Sequence, residues 1–353
     1  MARILHLIAA NHRRGAETFA VQLGHHLQGR GHDVRVLAQR DAATSSPLDV
    51  ELAGRSRWDP AGMARTMRAA AWADVVVAFG STALLNGAAA CGATRTPFVY
   101  RTIGDPTVWG RVRAANLRIG APLRSAAAVV ALYGAAADFL VERYRADPDR
   151  LCIIPRGVPV DRFAPSSPTR RAAARAELGL DHRLRWVAYV GSLSIEKDPL
   201  LAVAAIGAAG PEIGLVVAGD GPLADEVRRA SAPWQDRIRL LGAVGDVRPV
   251  YAAADALVLP SRTEGIPGAA VEAGLCGLPV VGFPVGGVPE VVEQEVTGLL
   301  VETRDPSVLA AALAVAVERR DAWGAAGRQR CRDRFSMESV GAAWDDLVTE
   351  IAP

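Results

Sequence analysis

Twice along this 353-residue chain, short apolar runs alternate with alanine-rich segments of helical length, and this alternation constrains the fold more than any other feature. In the first series Ile4 to Ala9, Val34 to Ala38, Val75 to Phe79, Phe98 to Tyr100, Ala127 to Leu132 and Leu151 to Ile154 read as strands, with helices near 16–29, 60–72, 82–91 and 134–145. A second series runs through Trp186 to Val190, Leu215 to Ala218, Arg239 to Leu241, Ala256 to Leu259 and Val280 to Gly282. Apolar strands separated by helices build a parallel sheet covered on both faces, so the pattern predicts an α/β protein of two doubly wound halves facing a cleft. Between them, Pro155 to Pro168 is rich in proline and serine and reads as an exposed linker. The expected organisation is a first domain over 1–155, a linker over 156–168, a second domain over 169–335 and a terminal segment over 336–353.

One stretch carries most of the functional information. Pro260-Ser261-Arg262-Thr263-Glu264-Gly265-Ile266-Pro267-Gly268 follows the apolar run Ala256 to Leu259 and leads into an alanine-rich helix. Unpaired amides at such a helix start attract an anion, the glycines let the backbone approach it, and Pro267 suits the first helical turn because no hydrogen bond is lost there. Glu264 lies in the turn and Glu272 about two helical turns inside, so the two carboxylates do not stack and should reach different parts of one extended ligand. A nucleotide-sugar fits that requirement, with sugar hydroxyls at one end and ribose at the other. Ligands of open parallel sheets sit beyond the carboxyl ends of strands, where both glutamates are placed.

Composition narrows the alternatives. Half of the residues are apolar, enough for two cores. No apolar run approaches the roughly 20 residues of a membrane span, and Ile4 to Ala10 is too short for a signal peptide, which makes cytoplasmic residence the default. Cys91, Cys152, Cys276 and Cys331 lack the close spacing of a zinc site or redox pair and read as buried free thiols, so no metal is implied. Residues 1–155 carry 19 Arg against 12 acids, whereas 156–353 carry 21 Arg and Lys against 26. The basic first half leaves open peripheral contact with the inner membrane face or an anionic acceptor, although its dispersed arginines mostly read as solvated faces. Nucleic acid is not expected, since no basic-aromatic alternation accompanies the charge.

Glu264 and Glu272 with seven residues between them, Pro260-Ser261 before, and Cys276-Gly277-Leu278-Pro279-Val280-Val281 and Gly286-Gly287-Val288-Pro289-Glu290 after resemble the donor site of glycosyltransferase family 4. Gly191 to Lys197 is similar to that family's phosphate loop, Ala218-Gly219-Asp220-Gly221-Pro222 to its next strand end, and Ile238 to Gly242 to the strand before its base pocket. The resemblance implies a GT-B fold of two Rossmann-like domains, a terminal helix over 336–353 that crosses back to the first domain, and a retaining mechanism. Lys197 is the only lysine beside 39 arginines, and it falls at the matching point of the phosphate loop. A compact ammonium there would stabilise charge on the leaving diphosphate, the job a metal performs elsewhere. The family's usual arginine after the loop glycine is Ser192 here, so the diphosphate would rest on Lys197, the amides near Gly265 to Gly268 and an arginine from elsewhere.

The resemblance thus implies a donor site of Gly191, Ser192, Lys197, Gly219, Val244, Glu264, Gly265, Ile266, Pro267, Gly268 and Glu272, with Lys197 and Glu264 catalytic: Lys197 holds the diphosphate, Glu264 the transferred sugar and Glu272 the ribose. On the acceptor side it points to Arg14, Gly15, Arg101, Gly104 and Asp105, with Gly104 where many relatives carry a histidine. His6, His25, His26 and His32 are expected to pack or face solvent. The reading is a metal-independent, retaining hexosyltransferase with no cofactor, which moves a sugar from a nucleoside diphosphate, uridine favoured, to the hydroxyl of a glycan, glycolipid or small metabolite. Ser192 and Gly104 give weight to a noncatalytic donor-binding subunit as the alternative. A sugar-nucleotide epimerase lacks a proton-abstracting pair.

Overall fold

The first series of apolar runs forms a seven-stranded parallel sheet in the computed structural model, which describes residues 1–12, 15–42, 47–56, 59–111 and 116–353. Its elements are β1 (Arg3–Ala10), α1 (Gly15–Gly29), β2 (Asp33–Arg40), β3 (Glu51–Gly54), α2 (Pro60–Trp72), β4 (Val75–Phe79), α3 (Ser81–Thr94), β5 (Phe98–Arg101), α4 (Ala121–Ser125), β6 (Ala128–Ala131), α5 (Gly134–Tyr144) and β7 (Leu151–Ile153), paired in the order β3-β2-β1-β4-β5-β6-β7. β3 has no apolar run to announce it: only Ala53 of Glu51-Leu52-Ala53-Gly54 is buried on this edge strand.

The second series repeats the plan with α6 (Pro168–Glu177), β8 (Arg185–Val190), α7 (Pro199–Ala208), β9 (Ile213–Ala218), α8 (Ala224–Ser231), β10 (Ile238–Gly242), α9 (Arg248–Ala253), β11 (Ala256–Leu259), α10 (Gly268–Leu275), β12 (Val280–Gly282), α11 (Val288–Val291), β13 (Gly298–Leu300), α12 (Pro306–Glu318) and α13 (Arg320–Phe335). Its six strands run parallel in the order β10-β9-β8-β11-β12-β13. In each sheet the winding reverses beside the first strand of the series, between β1 and β4 and between β8 and β11, and such reversals open a crevice at the strands' carboxyl ends. Strands covered by helices on both faces must be apolar throughout; β4, β9 and β11 are buried at every residue.

The chain divides into one unit of Met1–Gly157 with Met337–Pro353 and another of Val158–Ser336. α14 (Met337–Ile351) therefore belongs to the first unit although it follows the second in sequence. Trp344 on this helix is fully buried and stacks on Phe79 at 6.3 Å between ring centroids. Arg30 Nε and His32 Nε2 both reach the Asp345 carboxylate at 2.6 Å. His32 is thus a clamp on α14, whereas His26 lies against Gly341 and His25 faces solvent. The stretch 156–168 is exposed at Asp161, Arg162, Ala164, Pro165, Ser167 and Pro168 but anchored by buried Val158 and Phe163, and Phe163 packs edge-on against Tyr251.

His6 sits wholly inside the first core, with Nδ1 2.8 Å from the Ala20 carbonyl oxygen and its ring edge-on to Phe79. Burial lowers its pKa to about 4, only partly opposed by the bond to Ala20. The unfolded chain therefore takes up a proton near pH 6.5 that the folded chain refuses until about pH 4, and stability present above that upper value is lost as pH falls through the window. The loss attributable to His6 is about 3 kcal/mol. Urea midpoints at pH 7 and pH 4.5 should differ less in His6→Asn, which keeps an N–H for Ala20 but cannot titrate; an unchanged difference would refute this account.

Candidate functional site

At the reversal in the second sheet, β8 runs into the loop Gly191 to Lys197 and β11 into Pro260 to Glu264. The first loop lies along the Gly219 turn: Gly191 N–H donates to Ala218 O at 3.1 Å and Leu193 N–H to Asp220 O at 3.0 Å. A side chain at Gly219 is impossible without rearrangement, because its Cβ would lie 1.8 Å from the Gly191 carbonyl oxygen. Ser192 is exposed, and its carbonyl accepts the Tyr189 hydroxyl at 2.8 Å.

Lys197 Nζ lies 2.6 Å from Glu264 Oε1, and Ser261 Oγ donates to the same oxygen at 2.6 Å. Glu264 is 7% exposed and Lys197 half-buried, so the pair sits where water screens it poorly. A second clasp runs beside it. Arg304 donates to Asp198 Oδ2 at 2.8 Å, to Ser261 O at 3.2 Å and to Pro260 O, while its guanidinium rests on Phe283 at 4.3 Å. Arg262 pairs with Asp198 at 2.7 Å, and its N–H donates to Glu196 O at 2.7 Å. Asp198 and Arg304 are not among the residues singled out in the sequence, and Ser261 appears there only as part of the motif before Glu264. Arg304 is remote in sequence from the loops it joins, and no local spacing rule would find it.

Gly265, Ile266 and Pro267 are buried behind Glu264. Pro267 stands one place earlier than expected: it is the N-cap of α10, with φ −71°, and its carbonyl accepts from Ala270 at 3.1 Å and Val271 at 3.2 Å. The amides of Gly268 and Ala269 thus begin the helix with no carbonyl behind them in it. Glu272 turns to α9, where the Tyr251 hydroxyl donates to Oε2 at 2.9 Å. The two glutamates have different partners, as befits groups that reach different parts of a ligand. Val244 is half-buried in the loop after β10, at the same edge of the sheet.

In the first unit Gly15 is the first residue of α1, and a Cβ there would lie 2.9 Å from Arg156 Nη1. Arg14 lies outside the described residues. Arg101 does not stand at a surface: it is 2% exposed, with its guanidinium 4.2 Å from the Phe19 ring centroid, and burial together with neighbouring Arg156 lowers its pKa to about 9. Gly104 has φ +66° with open space beside it, and the Asp105 carboxylate accepts from the Thr107 amide at 2.9 Å and hydroxyl at 2.7 Å. Among the described residues no group of three or more His, Cys, Asp or Glu could hold a metal ion.

Two doubly wound parallel sheets, one with paired glutamates and a phosphate-type loop at its reversal, have the architecture of the GT-B fold. Residues 185–319 match the family described as glycosyl transferases group 1, and residues 13–162 match glycosyltransferase family 4. The chain belongs to glycosyltransferase family 4. A D-inositol 3-phosphate glycosyltransferase from Segniliparus rotundus is 37% identical over 218 residues, covering 58% of this chain and 48% of the relative. An alpha-maltose-1-phosphate synthase from Mycolicibacterium smegmatis is 32% identical over 253 residues, covering 65% of each. The chain spans about half the length of the inositol-phosphate relatives it matches. The fold of HepE from Anabaena, solved with UDP and glucose, superposes with a TM-score of 0.87 at 20% identity, covering 99% of this chain and 100% of that one. WaaG, a glycosyltransferase involved in lipopolysaccharide biosynthesis, superposes at 0.74 with 19% identity, covering 98% and 99%.

Gly286 crosses the Glu264 backbone in the left-handed region, φ +53°, where a Cβ would meet Glu264 O at 1.8 Å, and Gly287 N–H donates to Gly265 O at 3.0 Å. Gly286→Ala should therefore cost more than about 1 kcal/mol, since both the backbone angle and the contact exclude a side chain. Gly245→Ala, at a position with open space, should be near neutral. Equal denaturation midpoints for the two variants would contradict the crossing.

Proposed function

We propose that this chain is a retaining, metal-independent transferase that moves a hexosyl group from a nucleoside diphosphate to an acceptor hydroxyl. The observation that carries the reading is the Lys197–Glu264 pair, brought to 2.6 Å at the reversal between β8 and β11 from loops 67 residues apart. An ammonium has three protons; one goes to Glu264, and two remain for phosphate oxygens. The amides that open α10 face the same charge, which is the arrangement that stabilises a leaving diphosphate. Glu264, held by Lys197 and Ser261, takes a hydroxyl of the transferred sugar. Glu272, held by Tyr251, takes the ribose. The departing phosphate oxygen accepts the acceptor's proton, so this proposal requires no separate general base.

Uridine is the base we favour, supported by the UDP complexes of the HepE fold relative. Gly15 and the Gly104-Asp105 loop remain our candidates for the acceptor side. The arginine excess of the first half supports an anionic or membrane-borne acceptor, and no helix among the described residues is long and apolar enough to cross a membrane. A thermal-shift panel of uridine, guanosine, adenosine and thymidine diphosphate sugars identifies the donor, since a ligand at a hundred times its Kd adds about 2.7 kcal/mol.

With that donor, Lys197→Ala should lose about 2.7 to 4 kcal/mol of transition-state stabilisation, on the order of 10² to 10³ in turnover. Lys197→Arg should not restore it, because a planar guanidinium cannot place its protons where the ammonium does. An alanine variant that keeps most of its turnover would remove Lys197 from the mechanism. Transfer should persist in excess chelator, and a proton spectrum of the glycoside should show the donor's anomer; inversion or restoration by manganese would refute the reading.

A further inference from the structure

The opposite edge of the donor sheet holds a concentration of positive charge that the donor loops do not use. Asp255 stands directly before β11 and Arg185 opens β8, so both lie at the amino ends of strands whose carboxyl ends lead to Glu264 and Lys197. Asp255 is fully buried. Its Oδ2 accepts the Trp186 amide and Arg175, each at 2.7 Å; its Oδ1 pairs with Arg171, and Arg320 Nε from α13 lies at 3.9 Å. One cation is enough to neutralise a buried carboxylate. Here Arg171, Arg175, Arg185 and Arg320 all line one cavity of about 510 Å³. Against them stand Asp255 beneath and Asp321, which pairs with Arg320 at 2.7 Å and is 92% exposed.

Two positive charges remain in excess, and the architecture adds to them. Ser166 and Pro168 also line the cavity, so the N-terminal end of α6, with its positive dipole, opens beside the arginines. The Nε–H groups of Arg171 and Arg320 are buried with no hydrogen-bond partner among the described residues. Burial, followed by the crowding of Arg320, Arg175 and Arg185, pushes the Arg171 pKa down to about 10. Like charges assembled this closely in a concave site are relieved by an anion.

We propose that this pocket binds a small phosphate-bearing ligand, its dianionic head gripped by the guanidinium forks of Arg171, Arg185 and Arg320. Planar forks match phosphate geometry in a way that a lysine cluster would not. The cavity falls within the ~300–1,000 Å³ of ordinary small-molecule sites, large enough for an organic body attached to the phosphate. Inorganic phosphate and a phosphomonoester share this chemistry. The site is separate from the donor loops, which occupy the other edge of the sheet.

Isothermal titration of the full chain with inorganic phosphate, glucose 6-phosphate and glucose, in the presence of saturating uridine diphosphate, tests the assignment. Both phosphates should bind and glucose should not; tighter binding of the sugar phosphate would identify an organic ligand, and equal affinities would assign the pocket to phosphate itself. Arg185→Glu lies at an exposed strand start outside the contacts to Asp255, so it should keep its Tm while losing at least tenfold in phosphate affinity. Arg171→Gln should lose affinity similarly if it folds. The Arg185 comparison reads this pocket whether or not uridine diphosphate binds near Lys197. No binding of either phosphate, or binding that Arg185→Glu leaves within twofold, overturns the proposal.

Discussion

β8 and β11 are neighbours in the sheet, yet the chain leaves them in opposite lateral directions, and everything at the candidate donor site depends on how that seam is closed. Backbone ladders join the strands but not the loops beyond them. Beyond one backbone bond, from Arg262 N–H to Glu196 O, closure falls to side chains: Lys197 to Glu264, Asp198 to Arg304 and Arg262, and Arg304 to the carbonyls of Pro260 and Ser261. Lys197, Asp198, Glu264 and Arg304 are partly or largely buried, so each of these left alone would keep an unpaired charge in a poorly screened place. The loops are fixed in position by the same charges that make the seam attractive to a diphosphate.

Charge is handled differently in the first unit. Arg101 enters the core on the faces of Phe19 and Phe79, and Arg156 approaches Gly15 at the start of α1. No carboxylate is needed where an aromatic face and a carbonyl, here Thr102 O at 3.3 Å, share the load. Burial and the neighbouring Arg156 lower the Arg101 pKa to about 9, which still leaves the guanidinium protonated at neutral pH. The two units thus share a sheet plan, but Lys197 and Arg304 of the second stay partly exposed where Arg101 of the first is interior.

Much of this was legible in the residues. The alternation of apolar and alanine-rich segments gave away both sheets, and Lys197 and Glu264 stood out because one is unique in composition and the other occupies a strand-turn-helix junction. The roles of individual partners were hidden wherever contact depends on chain separation: Tyr251 with Glu272 is 21 residues apart and Arg304 with Asp198 is 106. The burial of Arg101 could not be read from its place at the end of an apolar strand, because it depends on two phenylalanines from other elements. β3 and β13 carry three or four residues each, too few for a period to declare itself.

The location of α14 has a consequence for how the molecule comes to be made. Phe79, Ile4, Leu23 and Leu27 belong to the same core as Val340, Trp344 and Val348, so the first unit contains a vacancy the size of an indole until residues past 336 have been synthesised. A nascent chain emerges from its amino end and folds by units. Here the unit that begins first is sealed last, after all of Val158–Ser336 has had time to fold. Loss of the final helix would therefore strike the half of the protein farthest from it in sequence.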